Sequence, residues 1–314
     1  MNTPPEGPTP FFERPSTATL AIVLSCIGFG LAPLFVKELT ALGIASPVIA
    51  FYRYSFVAVL LSPLLKFRGE YRILTFWGIF SGMCVGLGWI GYINVLKYLP
   101  VSTAGVIYMT YPLFTVVLGY LWFRSPLGMR SVAAALMILL AAAIALTPAT
   151  DGSVSYLALL GAFCAPLSFA LSIVVLTDKL HVMPPLSRVG CLALGGSLAL
   201  LPLVLSYETE QILPTSLDGY WLIAGIAMLT ALGPQFLYSR FAPVIGSAKT
   251  SIAGSAELPT MFIVGWLFFG ETLTLTQASG GLLVLLAILI APSQQRSVMA
   301  NIHRRTVKQP GPAS

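Results

Sequence analysis

Seven residues in apolar segments of the chain carry polar atoms or aromatic faces that could bind a small molecule. Glu257 is the one carboxylate deep in an apolar run, where it could carry a proton, bind an amine or make a structural hydrogen bond. Aromatic rings can pack against a ligand, and the polar tips of Tyr and Trp need partners when buried. We predict that a substrate path is lined by Glu257, the candidate coupling residue, together with Trp89, Tyr92, Tyr108, Tyr111, Gln235 and Tyr238.

The tyrosines and the neighbouring prolines also have simpler interpretations, which stay open. Tyr92 and Tyr238 lie near the ends of predicted helices, where they would fit an aromatic belt at the membrane surface. Pro112 and Pro259 lie in the middle of apolar runs. A proline there frees backbone carbonyls, which fits either the wall of a cavity or a plain kink made for packing.

Other buried charges and small residues favour structural roles. For Arg53 the sequence favours such a role, and Lys249 fits a lysine whose side chain reaches toward the membrane surface. Glycines at 78, 82 and 86 recur every four residues, so they share one helix face. Small residues at this spacing let a neighbouring helix approach closely, so we predict a packing surface there.

The remaining reactive side chains do not form a group typical of an enzyme. His181 and His303 lie in a predicted loop and in the tail, and no P-loop or metal-spaced cluster of His, Cys and Asp is present. The cysteines fall inside apolar runs, where they act as apolar filler: Cys26, Cys84, Cys164 and Cys191. We therefore predict a protein that is not an enzyme and has no cofactor or metal. Any transport that it performs must be driven by gradients.

Composition places these residues in a membrane protein. Of the 314 residues 57% are hydrophobic and 9% are charged, with a mean hydropathy of +0.88, whereas about 25% of a soluble domain is charged. Runs that are apolar on all sides predict helices rather than the alternating strands of a barrel. We predict an all-α polytopic membrane protein with ten spans, at about 18–37, 47–66, 74–96, 101–123, 130–148, 155–177, 186–206, 220–240, 246–269 and 273–292.

The distribution of basic residues predicts the orientation. Ten spans place both termini on one side, and only Lys37 and Lys97 then lie in loops on the other side. We predict a multi-pass protein of a bacterial-type inner (plasma) membrane, with a disordered cytoplasmic N-terminus (1–16) and a basic cytoplasmic tail (293–314). Because cytoplasmic loops and the tail account for the net charge of +6, no nucleic-acid partner is expected. The basic residues assigned to the inner side are Arg14, Lys66, Arg68, Arg72, Arg124, Arg130, Lys179, Arg188, Arg240, Arg296, Arg304, Arg305 and Lys308.

The chain contains the same pattern twice. Residues 99–123 and 242–269 each hold an early proline, a second proline in the middle, and a closing Gly-aromatic-Leu-aromatic-Phe sequence. We predict two repeats, 17–149 with helices 1–5 and 155–292 with helices 6–10. Since five is odd, the second repeat must cross the membrane in the opposite sense. The alignment pairs Tyr92 with Tyr238 and Trp89 with Gln235.

The motifs in these repeats resemble a known family. Gly28-Phe-Gly30, Phe35-Val-Lys37 and Phe51-Tyr-Arg53 in the first half, and Glu257-Leu-Pro259 with Gly265-Trp-Leu-Phe-Phe-Gly-Glu271 in the second, resemble the EamA-type repeat of the drug/metabolite transporter superfamily. The resemblance covers about residues 18–292. The first copy departs from the pattern at Arg124-Ser-Pro, where the family often has Gly-Glu.

The resemblance implies an exporter with a central cavity formed by both halves. The third and fourth predicted helices of this chain are rich in aromatic residues, and in this they resemble the branch of the family that exports aromatic amino acids. The expected function is export of amino acids or related small metabolites by alternating access, with the lipid bilayer as the other partner. Export of hydrophobic drugs by the same fold, and a receptor or scaffold that transports nothing, are the alternatives. The scarcity of buried carboxylates in the sequence is compatible both with transport driven by protons and with passive facilitated transport.

Overall fold

The computed structural model describes residues 15–65, 67, 69–123, 129–146, 160–254 and 256–290. Within these ranges the protein consists of helices and contains no strand. Seven helical stretches are long and apolar enough to cross a membrane, which agrees with an all-α polytopic membrane protein. They are Ser16–Ala41, Ser46–Leu64, Gly69–Leu96, Val101–Trp122, Leu160–Asp178, Pro185–Val204 and Leu217–Ser247.

Several of the spans are built from two helices in succession. The first seven helices are α1 (Pro15–Gly30), α2 (Ala32–Ala41), α3 (Ser46–Leu61), α4 (Arg72–Leu96), α5 (Val101–Tyr108), α6 (Tyr111–Phe123) and α7 (Met129–Leu146). The next are α8 (Cys164–Asp178), α9 (Pro185–Val204), the short α10 (Thr209–Ile212), α11 (Leu217–Ala227), α12 (Gly233–Gly254), α13 (Glu257–Phe269) and α14 (Leu275–Ile290). A π-helical turn, Met228–Leu232, joins α11 to α12.

The predicted spans correspond to these helices with some differences. The fifth predicted span coincides with α7, while the ninth and tenth contain the shorter apolar helices Glu257–Phe269 and Leu275–Ala287. The number of ten spans and the inverted repeat remain predictions. Helix α1 begins at Pro15, two residues inside the segment predicted to be disordered, while residues 1–14 and the tail 293–314 lie outside the described residues.

Two breaks in helices place polar residues in the middle of the bundle. Helices α5 and α6 are separated at Met109 and Thr110, just before Pro112. Proline cannot donate the backbone hydrogen bond that would continue the helix, so the chain turns there. Helix α12 is bent at Gly246, whose φ of 80° favours glycine, and α13 begins at Glu257. These breaks position Tyr108, Tyr111 and Glu257.

The glycine face of α4 packs directly against the backbone of α9. A Cβ on Gly82 would lie on the Leu192 carbonyl, and one on Gly86 would lie 2.8 Å from the Cα of Gly196. In return, a Cβ on Gly195 of α9 would collide with the carbonyl of Ile79. The packing interpretation of the glycine spacing is thus confirmed, and the two helices approach as closely as backbones can.

Candidate functional site

A small cavity lies where helices from both halves of the chain meet. Its charged and polar wall consists of Arg53, Tyr54, Tyr108, Ser172, Gln235 and Glu257, and its apolar wall includes Phe29, Val57, Val85, Trp89, Phe169, Val189, Leu192, Ala193 and Ala231. The cavity has a free volume of about 30 Å³. This is room for about two waters. A larger molecule requires the walls to move apart.

Among the described residues that line this cavity, Arg53 of α3 is the one cation. Its side chain is 5% exposed and is held on two sides. The Nη2 group donates a hydrogen bond of 2.7 Å to the carbonyl of Thr230, and the guanidinium carbon lies 3.7 Å from the centre of the Trp89 ring. Nε and Nη1 have no hydrogen-bond partner among the described residues.

The sequence around Thr230 explains why its carbonyl can receive this arginine. In an α-helix the carbonyl of residue 230 would accept from the N–H of residue 234, but residue 234 is a proline and has no N–H. The helix widens into its π-helical turn immediately before Pro234, which leaves the Thr230 carbonyl free for Arg53. The hydroxyl of Ser25 in α1 donates to the Pro234 carbonyl at 2.6 Å and ties this turn to α1.

Glu257, the first residue of α13, contributes a carboxylate to the same cavity and is 3% exposed. A negative charge at this position is favoured by the dipole of the helix that follows. Its Oε2 atom has no partner among the described residues. Arg53 and Glu257 are absent from the described ion pairs within 4.0 Å, which are Lys37–Glu271 and Lys179–Asp178.

A cluster of aromatic rings surrounds the cavity, and Phe169 of α8 is at its centre. The Phe169 ring lies 5.1 to 5.8 Å, centre to centre, from the rings of Tyr111, Tyr238 and Tyr108. It also contacts Phe29 edge-on at 6.0 Å. Distances of this size are those of favourable aromatic pairs. Rings from α1, α5, α6, α8 and α12 therefore form one continuous aromatic wall.

The seven residues predicted from the sequence divide into two sets. Trp89, Tyr108, Gln235 and Glu257 line the cavity. Tyr92, Tyr111 and Tyr238 are no more than 1% exposed and lie outside the set of lining residues. The two members of each predicted pair have similar environments. Trp89 and Gln235 both line the cavity, and Tyr92 and Tyr238 are both buried inside the bundle rather than at its surface.

The polar tips of the three buried tyrosines differ in their contacts. The Tyr92 hydroxyl donates to the sulfur of Met261 at 3.8 Å, and the Tyr111 hydroxyl donates to the Ser251 carbonyl at 3.4 Å. The Tyr238 hydroxyl has no partner among the described residues. Tyr92 thus connects α4 to α13, and Tyr111 connects α6 to α12. Both tyrosines lie behind the residues that line the cavity.

Eleven of the fifteen residues that line the cavity were not predicted from the sequence, and Phe29, Phe169 and Arg53 are the most informative of them. Phe29 and Phe169 lie in uniformly apolar helices, so their types carry no signal that separates them from ordinary packing residues. Arg53 did carry a signal, because an ionisable residue inside a membrane segment is a candidate functional residue. The structure places Arg53 in the cavity wall. The side chain of Lys249 lies outside the described residues.

A polar network centred on Glu271 lies at one end of the bundle. The Lys37 Nζ donates to Glu271 Oε1 at 3.0 Å, and the same carboxylate accepts from the backbone N–H groups of Val101 at 2.8 Å and Ser102 at 3.3 Å. Glu271 therefore joins α2 to the first turn of α5, where free N–H groups favour an anion. A cleft of about 650 Å³ adjoins this network and is lined by both charged partners and by Lys97.

A second arginine is held in the same way as Arg53, outside the cavity. Arg188 of α9 donates from Nη1 to the carbonyl of Ser239 at 2.6 Å. Residue 243, four positions later, is again a proline and has no N–H for that carbonyl. Arg188 also donates to the carbonyls of His181 and Met183. Two prolines in α12 thus each free a carbonyl that an arginine from a neighbouring helix takes.

Comparison with known proteins identifies the family. The model of the EamA-like transporter family matches the chain twice, at residues 16–147 and 156–291. The chain therefore belongs to the EamA-like transporter family and is a membrane transporter. The family resemblance seen in the sequence is confirmed at this level, within the drug/metabolite transporter superfamily. The family is one of transporters rather than enzymes, which implies a small-molecule substrate and a lipid environment.

Individual relatives agree with this assignment. An uncharacterized transporter of Archaeoglobus fulgidus is 26% identical over 86% of this chain and 94% of its own length. A riboflavin transporter of Vibrio cholerae is 27% identical over 73% of this chain and 76% of its own length. A solved crystal structure superposes with a TM-score of 0.62 at 15% identity, covering 94% of this chain and 99% of that one. This last likeness shows the fold alone.

Proposed function

We propose that the protein exports amino acids, aromatic ones among them, or related small metabolites through the central cavity. The observation that carries the proposal is the composition of the cavity wall. One buried cation, Arg53, and one buried anion, Glu257, lie among aromatic rings contributed by both segments that match the family model. Intramembrane charges are costly, and residues that line a substrate path are a frequent reason for them.

Transport by alternating access is the mechanism that we infer. The cavity has room for about two waters, so a substrate can enter only when helices move. In this proposal the two five-helix repeats, 17–149 and 155–292, have opposite orientations in a bacterial-type inner membrane, with both termini cytoplasmic. The Lys37–Glu271 network then lies on the outer side, where it closes the path to the exterior.

Reconstituted liposomes test this function. Liposomes containing the protein are loaded with labelled amino acids, and efflux is compared with that from protein-free liposomes. Ser172→Trp should abolish the flux, because Ser172 is 3% exposed and a large side chain there fills the cavity. Leu121→Trp is the matched control, since Leu121 is 66% exposed on the surface of the bundle. Absence of protein-dependent flux for every amino acid and metabolite tried would contradict the proposal.

Transport of a larger aromatic metabolite is a second candidate function. The name of the Vibrio cholerae relative indicates riboflavin transport for that protein, and the aromatic wall of this cavity also suits a planar ring system. A flavin and an aromatic amino acid should compete in the same liposome assay if they share the site. Hydrophobic drugs are less favoured, because they offer nothing to neutralise the two buried charges.

A receptor or scaffold without transport would not need access of water to the cavity. A variant without its native cysteines and with Ser172→Cys distinguishes this alternative. A transporter should expose position 172 to water-soluble thiol reagents during its cycle, whereas a scaffold should leave it unlabelled from either side of the membrane.

We further propose that Glu257 carries the coupling proton, since it is the acidic residue of the cavity wall.

A further inference from the structure

The Arg53 side chain is fixed in place without using all of its donors. The Thr230 carbonyl holds Nη2, and the Trp89 ring lies against the guanidinium plane at 3.7 Å. The side chain is 5% exposed, yet Nε and Nη1 have no partner among the described residues. A buried cation that is only partly hydrogen-bonded is costly. The arrangement is therefore that of a preorganised donor group for an anion that enters the cavity.

Glu257 presents the opposite charge to the same small space. The residue is 3% exposed, and its Oε2 atom has no partner among the described residues. The two side chains do not form one of the described ion pairs within 4.0 Å. Each side chain therefore keeps polar atoms to which a ligand of the opposite charge can bind, namely Nε and Nη1 of Arg53 and Oε2 of Glu257.

We propose that Arg53 binds the carboxylate and Glu257 the ammonium group of a zwitterionic substrate, whose aromatic side chain packs against Trp89, Tyr108 and Phe169. This inference rests on the proposed function and names the substrate class of that site. Hydrogen bonds between charged partners are stronger than neutral ones, and the carboxylate of the substrate would satisfy the free donors of Arg53. The ammonium group would do the same for Glu257, so the site is neutral with and without its substrate.

Such a site selects against molecules that carry only one of the two charges. An aromatic amine leaves the Arg53 donors unsatisfied, and an aromatic acid leaves the Glu257 carboxylate unsatisfied. A site built to make a charged hydrogen bond rejects a ligand that lacks the partner, because the buried group then remains unpaired. We expect wild-type protein to prefer the zwitterion over either analogue by about 10- to 100-fold in affinity.

Three related probes test the proposal: L-phenylalanine, phenethylamine, which lacks the carboxylate, and 3-phenylpropionate, which lacks the ammonium group. Binding to the purified full-length protein in detergent is measured by calorimetry, and flux is measured in liposomes. Arg53→Gln should lower the affinity for L-phenylalanine to about that for phenethylamine and leave phenethylamine unchanged. Glu257→Gln should lower the affinity for L-phenylalanine in the same way and leave 3-phenylpropionate unchanged. Opposite shifts in selectivity are a result that general destabilisation does not produce.

Controls keep the outcome interpretable when a variant folds poorly. Arg53→Lys keeps the charge and should retain part of the preference for the zwitterion. Arg240→Gln removes a cation that does not line the cavity, and it should leave all three affinities unchanged. Size-exclusion chromatography and thermal unfolding verify that each variant is folded.

The two proposals fail in different ways. Equal affinities of the three probes for wild-type protein, or an equal loss of all three in Arg53→Gln, overturn the zwitterion site while export of metabolites stands. Binding of none of the three probes also overturns it. Absence of flux for every compound of a broad panel, flavins included, overturns the proposed function itself.

Discussion

Lys37 and Glu271 are 234 residues apart in the chain, yet the lysine Nζ lies 3.0 Å from Oε1 of the glutamate. The same carboxylate receives the N–H groups at the start of α5, so one side chain connects three segments of the bundle. Both partners are largely shielded, with 24% and 14% of their side chains exposed. The first repeat has Ser125 at the position that corresponds to Glu271 in the alignment, so a matching carboxylate is absent from the sequence there.

Glu271→Gln should make the cavity easier to open at this end. The substitution removes the ion pair and weakens the contact with the helix N-terminus, at a cost of about 1–2 kcal/mol to the closed form. That cost corresponds to an increase of roughly 5- to 30-fold in the open population. The labelling rate of Ser172→Cys, in a variant without native cysteines, measures the change with an impermeant reagent added from the Lys37 side. Glu38→Gln, at an exposed neighbouring position, is the control, and equal rates in both variants would argue against this closing role.

Glu257→Gln should abolish accumulation of substrate against a gradient if this residue carries the coupling proton. Glutamine keeps the size of the side chain but cannot exchange a proton. We expect exchange of substrate at equal concentrations to be reduced, because the ammonium contact is weakened, while its dependence on a pH gradient disappears. Flux in liposomes with and without an imposed pH gradient measures both effects. A variant that still responds to the gradient as wild-type protein does would exclude Glu257 from coupling.

Gly82→Ala should destabilise the protein strongly, whereas Gly119→Ala should not. The added methyl group at position 82 would lie on the Leu192 carbonyl, while none of the described residues lies within 4 Å of the corresponding position at Gly119. Forcing α4 away from α9 should cost about 1–3 kcal/mol, the usual range for overpacking. Alanine at 119 should be neutral or slightly stabilising, since it favours the helix by up to about 1 kcal/mol over glycine. Thermal unfolding in detergent measures both, and equal melting temperatures would contradict the close helix contact.

Pro234→Ala should weaken the hydrogen bond between Arg53 and the Thr230 carbonyl while leaving the arginine in place. Alanine restores an N–H that competes with Arg53 for the Thr230 carbonyl, and it favours a regular helix in place of the π-helical turn. We expect the affinity for 3-phenylpropionate to fall about 5- to 10-fold, in line with loss of about one hydrogen bond, while phenethylamine binding stays the same. Pro243→Ala is the matched control, because it acts on Arg188 outside the cavity. The same loss in both variants would show that the effect comes from the helix as a whole.

The sequence predicts the membrane class, the repeated pattern and part of the site, for reasons that the structure makes clear. Glu257 and Gln235 are polar residues in apolar runs, and such residues are identifiable without coordinates. Phe169 is not, because its importance depends on which helices surround it, and contacts between distant segments leave no trace in hydrophobic periodicity. The role of Arg53 depends on Pro234, which lies 181 residues later. Only the fold shows that the carbonyl freed by this proline faces that arginine.

The contact between α4 and α9 limits how the protein can move. The backbones of the two helices are in contact at Gly82, Gly86 and Gly195. If one helix slid along the other by a single residue, a side chain would have to occupy a space that now holds only the hydrogen atom of a glycine. The two helices belong to different halves of the chain, so in the proposed transport cycle we expect them to move together. The contacts that separate when the cavity opens are then expected between helices that meet across side chains, which can exchange one set of contacts for another.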